Sequence, residues 1–191
     1  MWTAVAILVY IGLSFDPSIR SSVIRTRATE EATAIWHDYN VDLDWRGDDD
    51  AEMCVTASVD RTRRRAEPDK AMILGSTVVP DRPNGPVAPI RIGFDAIDDL
   101  AEPPATSNPI LHDYSVGTAI GRVLAHEVGH ILLGAPAYHD GDGLMRRNFL
   151  SNDFLPWDRS RYRLSPGSVA RLYDRLSRRS IVHPAPGCPA H

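Results

Sequence analysis

Two histidines four residues apart, inside a long apolar segment, constrain the fold of this chain more than any other feature. His126 and His130 lie where apolar residues recur at helical spacing, which predicts a helix. Side chains at positions i and i+4 project from one face, so both imidazoles can reach one metal ion, and Glu127 points close to it. The predicted buried stripe of this helix is Ile120, Val123, Leu124, Val128, Ile131 and Leu132.

Capping residues predict where this helix begins and ends. Asp113 or Ser115 can cap its N-terminus. Gly134 can adopt the left-handed conformation that commonly ends a helix, which lets the chain turn back beneath the metal. His139 follows in the returning chain and offers a third nitrogen ligand.

The pattern H-E-x-x-H is typical of a catalytic zinc site. Zinc takes the two histidines and one further protein ligand, and the glutamate takes the proton of a zinc-bound water. We expect His139 to be the third ligand of a single catalytic zinc ion. Asp140 and Asp142 are the alternatives, because a carboxylate oxygen also suits zinc. A glutamate ligand is excluded, since no glutamate follows Glu127 in the sequence.

These residues resemble the metzincin superfamily of zinc peptidases. In that family a glycine ends the helix, a third histidine follows, and a methionine turn lies beneath the metal. Gly134, His139 and Gly143-Leu144-Met145 correspond to these elements. The family motif H-E-x-x-H-x-x-G-x-x-H would place the glycine at Leu133 and the third histidine at Pro136, so both come later here.

The resemblance implies a zinc metalloendopeptidase with Glu127 as the catalytic residue and His126, His130 and His139 as the metal ligands. We expect a peptide or protein substrate, extended along an antiparallel edge strand for which residues 72–79 are the candidate. The alternative is a catalytically silent metzincin-fold domain that binds zinc and serves in interactions. Because both helix histidines and the glutamate are present, the sequence favours the enzyme.

The fold class expected is α+β (mixed α/β), a metzincin-like zincin with a twisted mixed sheet of about five strands, two long helices and a small C-terminal lobe. A first long helix is predicted to begin at Asp16-Pro17, a cap followed by a proline at the first helical position, and to end near Asn40. The strand, helix, strand order predicts parallel neighbours. The predicted strands are residues 3–10, 41–45, 53–59, 72–79 and 90–94.

Two subdomains are predicted. Residues 1–134 form an N-terminal sheet-and-helix subdomain that ends in the zinc-binding helix. Residues 135–191 form a small C-terminal subdomain with the third ligand, the methionine turn and a last helix starting at Ser165-Pro166. The apolar face of that last helix is predicted to consist of Val169, Leu172, Tyr173 and Leu176. The proline-rich residues 184–191 are predicted to be disordered.

Composition bounds the remaining expectations. A net charge of −4 at pH 7 points to neither nucleic acid nor an anionic membrane. The apolar first residues lack a basic start and a cleavage site and are too short to span a bilayer. We therefore expect a soluble monomer, secreted only if a leader was trimmed. Cys54 and Cys188 are too few for a disulfide framework. They could pair if the protein is exported, but we expect two free thiols.

Overall fold

A five-stranded mixed sheet and four helices form the part of the chain that the computed structural model describes. That part comprises residues 7–45, 53–61, 74–77, 89–101, 108–134, 138–149, 151–154 and 158–179. The strands are β1 (Ile7–Phe15), β2 (Val41–Asp44), β3 (Met53–Asp60), β4 (Gly75–Ser76) and β5 (Ile90–Gly93). The helices are α1 (Ser22–His37), α2 (Phe94–Ala101), α3 (Pro109–Leu133) and α4 (Pro166–Arg179), with short 3-10 turns at Ser151–Phe154 and Arg159–Tyr162.

The sheet has the strand order β2-β1-β3-β5-β4. β1 pairs in parallel with β2 and β3, and β3 pairs in parallel with β5. β4 is antiparallel to β5 and lies at the edge, with Gly75 opposite Ile92 and Ser76 opposite Arg91. The mixed α/β class and the antiparallel edge strand are therefore confirmed.

Two strand boundaries differ from the prediction. β1 runs on to Phe15 instead of ending at Tyr10, because its full second half pairs with β3. The edge strand comprises only Gly75–Ser76 among the described residues 74–77. The rest of the predicted strand 72–79, and residues 3–6 of the first one, lie outside the described residues.

The prediction that α1 begins at Asp16-Pro17 is wrong. The helix starts after Ser21, whose hydroxyl accepts a hydrogen bond from the N–H of Ile24 (3.4 Å). The Asp16 carboxylate instead accepts from the N–H of Ser18 (2.8 Å), and the Asp16 N–H donates to the carbonyl of Val59 (2.9 Å). Asp16 thus closes a turn that continues the strand, and it caps no helix.

The central helix α3 also begins earlier than predicted. Its N-cap is Asn108, whose side-chain oxygen accepts from two backbone N–H groups of the first turn, and Pro109 takes the first helical position. Asp113 and Ser115, the predicted caps, lie inside the helix, where Asp113 accepts a hydrogen bond from Ser21 (2.6 Å). The predicted end is confirmed: Gly134 is the C-cap, with φ 64° and ψ 37°.

α3 is buried on all sides over most of its length. Every residue from Val116 to Leu133 is buried, including the whole predicted apolar stripe. α1 covers one side at close range: a Cβ at Gly121 would lie 2.6 Å from the carbonyl oxygen of Ala28. Such contact needs a residue without a side chain.

A buried ion-pair network joins α1, α3 and the C-terminal segment. Glu31 is fully buried and accepts hydrogen bonds from Arg27 (2.6 Å), Arg122 (3.0 Å) and Arg159 (2.9 Å). Arg122, also fully buried, donates to the backbone carbonyl of Asp153 (2.8 Å). We call these residues the Glu31 network. Each buried charge has a partner, which buried charges require.

The C-terminal segment places α4 against α3. Leu172 and Ser168, one helical turn apart, are fully buried, and Val169 and Leu176 pack partly buried against the core. Tyr173 was predicted on this apolar face but is 43% exposed, because it lies off the line of Ser168 and Leu172. The proline-rich tail 184–191 lies outside the described residues. The boundary between the two predicted subdomains stays a prediction.

The expectation of two free thiols is wrong. Cys54 on β3 is disulfide-bonded, and the described residues contain no free cysteine. The other cysteine of the chain, Cys188, lies outside the described residues. None of the described helices is both long and apolar enough to cross a membrane.

Candidate metal centre

Three histidines converge at the C-terminal end of α3. The ring centroids of His126 and His130 are 4.7 Å apart. The ring centroid of His139 lies 5.5 Å from that of His126 and 5.0 Å from that of His130. One nitrogen of each ring lies within 4.8 Å of the other two. His126 and His130 are buried and His139 is half-buried. Three imidazoles this close form a group that could hold a metal ion.

The helix sets the spacing of the first two nitrogens. The Nε2 atoms of His126 and His130, one turn apart, are separated by 3.0 Å. Zinc binds histidine nitrogen at about 2.0–2.1 Å, which in a tetrahedral site puts neighbouring nitrogens roughly 3.3 Å apart. The donor atoms and their spacing therefore fit a small cation such as zinc.

A carbonyl group orients the first imidazole. The Nδ1–H of His126 donates to the carbonyl oxygen of Leu144 (2.7 Å), which leaves Nε2 as the nitrogen turned toward the cluster. Burial, together with repulsion of like charge by His130 and His139, lowers the pKa of His126 to about 4, although the hydrogen bond to the Leu144 carbonyl acts in the opposite direction. The ring is therefore neutral at pH 7, which is the form that binds metals.

The third histidine is held by its neighbours in the loop. Asp140 accepts hydrogen bonds from the hydroxyls of Tyr138 (2.9 Å) and the fully buried Ser168 of α4 (2.6 Å). Its N–H donates to the carbonyl of Met145 (2.8 Å). Burial raises the pKa of the Asp140 carboxyl, but the hydrogen bonds from serine and tyrosine outweigh burial and lower it overall. His139 therefore lies between Tyr138 and Asp140, and the side chains of both neighbours are hydrogen-bonded to Ser168 of α4.

The two carboxylate alternatives for the third ligand lie in other surroundings. The Asp140 carboxylate is directed to Tyr138 and Ser168, and the Asp142 side chain is 93% exposed. Among the described residues, the group that could hold a metal consists of His126, His130 and His139. That the three histidines are the metal ligands stays a prediction.

Glu127, which follows His126 in the sequence, is buried. Burial raises the pKa of its carboxyl to about 8. A carboxylate in such surroundings binds a proton more readily than one in water. Glu127 is therefore suited to accept and return a proton near neutral pH.

The turn that contains Met145 lies directly under the helix. Gly143 has φ 78°, a conformation that favours glycine, and the N–H of Leu144 donates to the carbonyl of Arg163 (2.9 Å). Met145 is fully buried, with its sulfur against Gly129, the residue that precedes His130 on the helix. A side chain at Gly129 would overlap the methionine sulfur.

Arg146 fastens this turn to the C-terminal segment. Its guanidinium donates to the Asp153 carboxylate (2.6 Å), the Gly143 carbonyl (2.9 Å) and the Arg161 carbonyl (2.6 Å). Asp153 is buried, and its carbonyl also accepts from the Tyr162 hydroxyl. Asp153 and Arg161, which hold the turn through Arg146, therefore both follow it in sequence.

Several residues that shape the site gave no local signal in the sequence. The Phe149 ring lies 5.3 Å from the His126 ring, edge to face, and stacks on Phe154 at 5.8 Å. The contact between Asp140 and Ser168 joins residues 28 positions apart. Contacts of this kind follow from tertiary packing and leave no periodic pattern or motif in the sequence.

Comparison with known proteins gives a likeness of fold. No protein-family model and no curated protein sequence matches the chain. Among solved structures, it is similar to the crystal structure of archaemetzincin from Methanopyrus kandleri, with a TM-score of 0.52 and 14% sequence identity. The match covers 90% of this chain and 96% of that one. At this identity the likeness concerns the fold, and it confirms the metzincin-like fold that the motif implied.

Proposed function

We propose that the protein is a zinc-dependent metalloendopeptidase. The observation that carries the proposal is the convergence of His126, His130 and His139, whose nitrogens lie within 4.8 Å of one another. Glu127, next to His126 in the sequence, is buried. Three protein ligands leave one position of a tetrahedral zinc ion open, which distinguishes catalytic from structural zinc sites. The metzincin-like fold supports the same conclusion.

The three histidines would hold the metal through neutral imidazole nitrogens. When bound, zinc supplies a Lewis acid that lowers the pKa of water and polarises a carbonyl oxygen. The hydrogen bond from His126 to the Leu144 carbonyl keeps the ring in the required tautomer. Met145 packs under the helix against Gly129, which precedes the ligand His130.

Glu127 is the general base. It accepts the proton of the attacking water and returns it to the leaving amine. The burial that raises its pKa to about 8 makes it a stronger base, while a dication held by the histidines favours the ionised carboxylate. The two effects act in opposite directions on the pKa of Glu127, so its pKa in the metal-bound protein is lower than burial alone would give.

The substrate is a peptide or protein that adds to the sheet at β4. This strand pairs with β5 on one side and forms the edge of the sheet, so its other side can bind an extended peptide by main-chain hydrogen bonds. Gly75 of β4 lies against Glu127, which brings a peptide on this edge close to the general base. We propose a monomer that acts without nucleic acid or membrane.

Turnover of a quenched mixed-peptide library by wild type and by Glu127→Ala tests the proposal. We expect the variant to lose at least about a hundredfold in activity, because it lacks the base, and to keep the metal content of the wild type. Asp142→Ala, which removes an exposed carboxylate from the nearby loop, is the matched control and should retain activity. Equal turnover by wild type and Glu127→Ala would contradict the proposal. A wild type that binds zinc but cleaves nothing would instead indicate the silent binding domain.

A further inference from the structure

The edge strand touches the proposed general base at a glycine. A Cβ atom at Gly75 would lie 2.7 Å from Oε1 and 3.0 Å from Cγ of Glu127, and 2.7 Å from Cγ1 of Val123. Carbon atoms in good contact are about 3.5–4.0 Å apart, so there is no room for a side chain at this position. Val123 and Glu127 are one helical turn apart, and the backbone of Gly75 therefore lies on the same strip of α3 as the carboxylate.

The glycine is required for space and not for backbone conformation. The glycines with positive φ among the described residues are Gly134 and Gly143, and Gly75 is not one of them. A residue with a side chain could therefore adopt the backbone conformation of Gly75. A glycine inside a strand weakens the strand, and it often marks the close approach of another group. Here that group is the Glu127 carboxylate.

This contact limits where the carboxylate can lie. The Glu127 atoms closest to the Cβ position at Gly75, Oε1 and Cγ, belong to the end and the stem of the same side chain, so the space beside Gly75 is filled by both parts of that side chain. The pairing of Gly75 with Ile92 of β5 holds that backbone in the sheet. The carboxylate is therefore positioned by the sheet as well as by the helix that carries it.

We infer that Gly75 is a positioning residue for Glu127: its missing side chain lets the edge strand pack on the carboxylate and hold it in place for proton transfer. The inference rests on the proposed function for its catalytic meaning, while the contact itself can be tested without activity. Any side chain at position 75 must displace either the strand or the carboxylate. A displacement of about 1 Å in a catalytic group can cost a hundredfold in rate.

A thermal double-variant cycle tests the contact independently of turnover. Gly75→Ala is made in the wild type, in Glu127→Ala and in Val123→Ala, and Tm is measured for each. Overpacking should lower Tm by on the order of 5 °C in the wild type, and by clearly less in either truncated background, where one of the two residues in conflict with the added methyl group has been shortened. Ser76→Ala, which alters the exposed neighbour on the same strand, is the control and should behave equally in all three backgrounds.

Kinetics test the consequence for the base. Gly75→Ala should lower kcat by at least about tenfold, and by a larger factor than it raises KM, with zinc content nearly unchanged, because a displaced carboxylate impairs proton transfer whereas a displaced strand impairs only substrate binding. Equal Tm losses in all backgrounds, or a kcat within about twofold of wild type, would overturn the inference. If Gly75→Ala alone does not fold, recovery of folded protein with Glu127→Ala supports the contact, and failure to recover contradicts it. A wild type without peptidase activity would count against the proposed function, and the Tm cycle would still decide the contact.

Discussion

The three histidines of the candidate metal centre are held by two different parts of the chain. His126 and His130 lie in the part of α3 that is buried on all sides, and their spacing follows from one helical turn. His139 is half-buried in a loop, and its neighbour Asp140 is fixed by hydrogen bonds to Ser168 and Met145. We call these the helix side and the loop side of the centre.

The two sides depend on different kinds of stabilisation. The helix side needs the packing of a whole helix, in which fully buried Glu31 and Arg122 connect α3 with α1. The loop side needs a few specific hydrogen bonds between distant residues. Damage to the helix side should therefore appear as lost stability, and damage to the loop side as lost metal affinity in a folded protein.

The largest effect is expected on the helix side, from Glu31→Gln. The substitution leaves the buried guanidinium of Arg122 without its counter-charge, and breaking a buried ion pair in this way costs about 3–5 kcal/mol. Urea unfolding of the metal-free protein measures the free energy of unfolding. Glu30→Gln is the matched control, since its carboxylate is 59% exposed and should change stability by less than about 1 kcal/mol. A similar small loss for both variants would show that α3 does not depend on the Glu31 network.

On the loop side, His139→Ala should weaken zinc binding by more than about a hundredfold, because a ligand is removed. The affinity is measured by competition with a chelator, and the free energy of unfolding of the metal-free protein should change little. If instead Asp140→Ala weakened zinc binding more than His139→Ala did, the third ligand would have to be reassigned to Asp140.

Asp140→Ala should have a smaller effect than loss of His139. It removes the acceptor of the hydrogen bonds from Tyr138 and Ser168, and loss of a group that orients a ligand typically costs about 10- to 100-fold in metal affinity. Asp142→Ala, whose side chain is exposed in the same loop, should leave the affinity unchanged. Equal affinities for the two aspartate variants would mean that Asp140 does not support the loop side.

The smallest effect is expected where the two sides join, at Gly134. Its φ of 64° is unfavourable for any residue with a Cβ, so Gly134→Ala should cost about 1–2 kcal/mol of stability. The added methyl group would also meet the guanidinium of Arg175, which must move. Gly141→Ala, where a Cβ would meet nothing within 4 Å, is the control in the loop. Unfolding curves for the two variants that coincide would contradict the need for glycine at the helix end.

Local sequence signals predicted the helix side better than the loop side. The apolar period of α3, the spacing of His126 and His130 and the stop at Gly134 are all local, and the structure shows the helix and its end as expected. The hydrogen bonds around Asp140 and the contact between Gly75 and Glu127 join residues far apart in sequence. No periodicity or capping pattern could have indicated them.

One local signal gave opposite outcomes in two places. Asp16-Pro17 and Asn108-Pro109 both combine a capping residue with a proline, but only the second begins a helix. The Asn108 side chain accepts from the first turn of α3, whereas Asp16 is still paired with β3 through its N–H. No helix begins at Asp16 because the pairing of β1 with β3 extends up to this residue. That pairing involves a strand more than forty residues away in sequence.

Metal content and coordination of the purified wild-type protein test the central claim most directly. Elemental analysis with X-ray absorption at the zinc edge should show one zinc ion per chain with three imidazole nitrogens at about 2.0–2.1 Å. His139→Ala should lose one of these nitrogens. A wild-type protein that binds no zinc, or binds it without the imidazole of His139, would contradict the three-histidine centre.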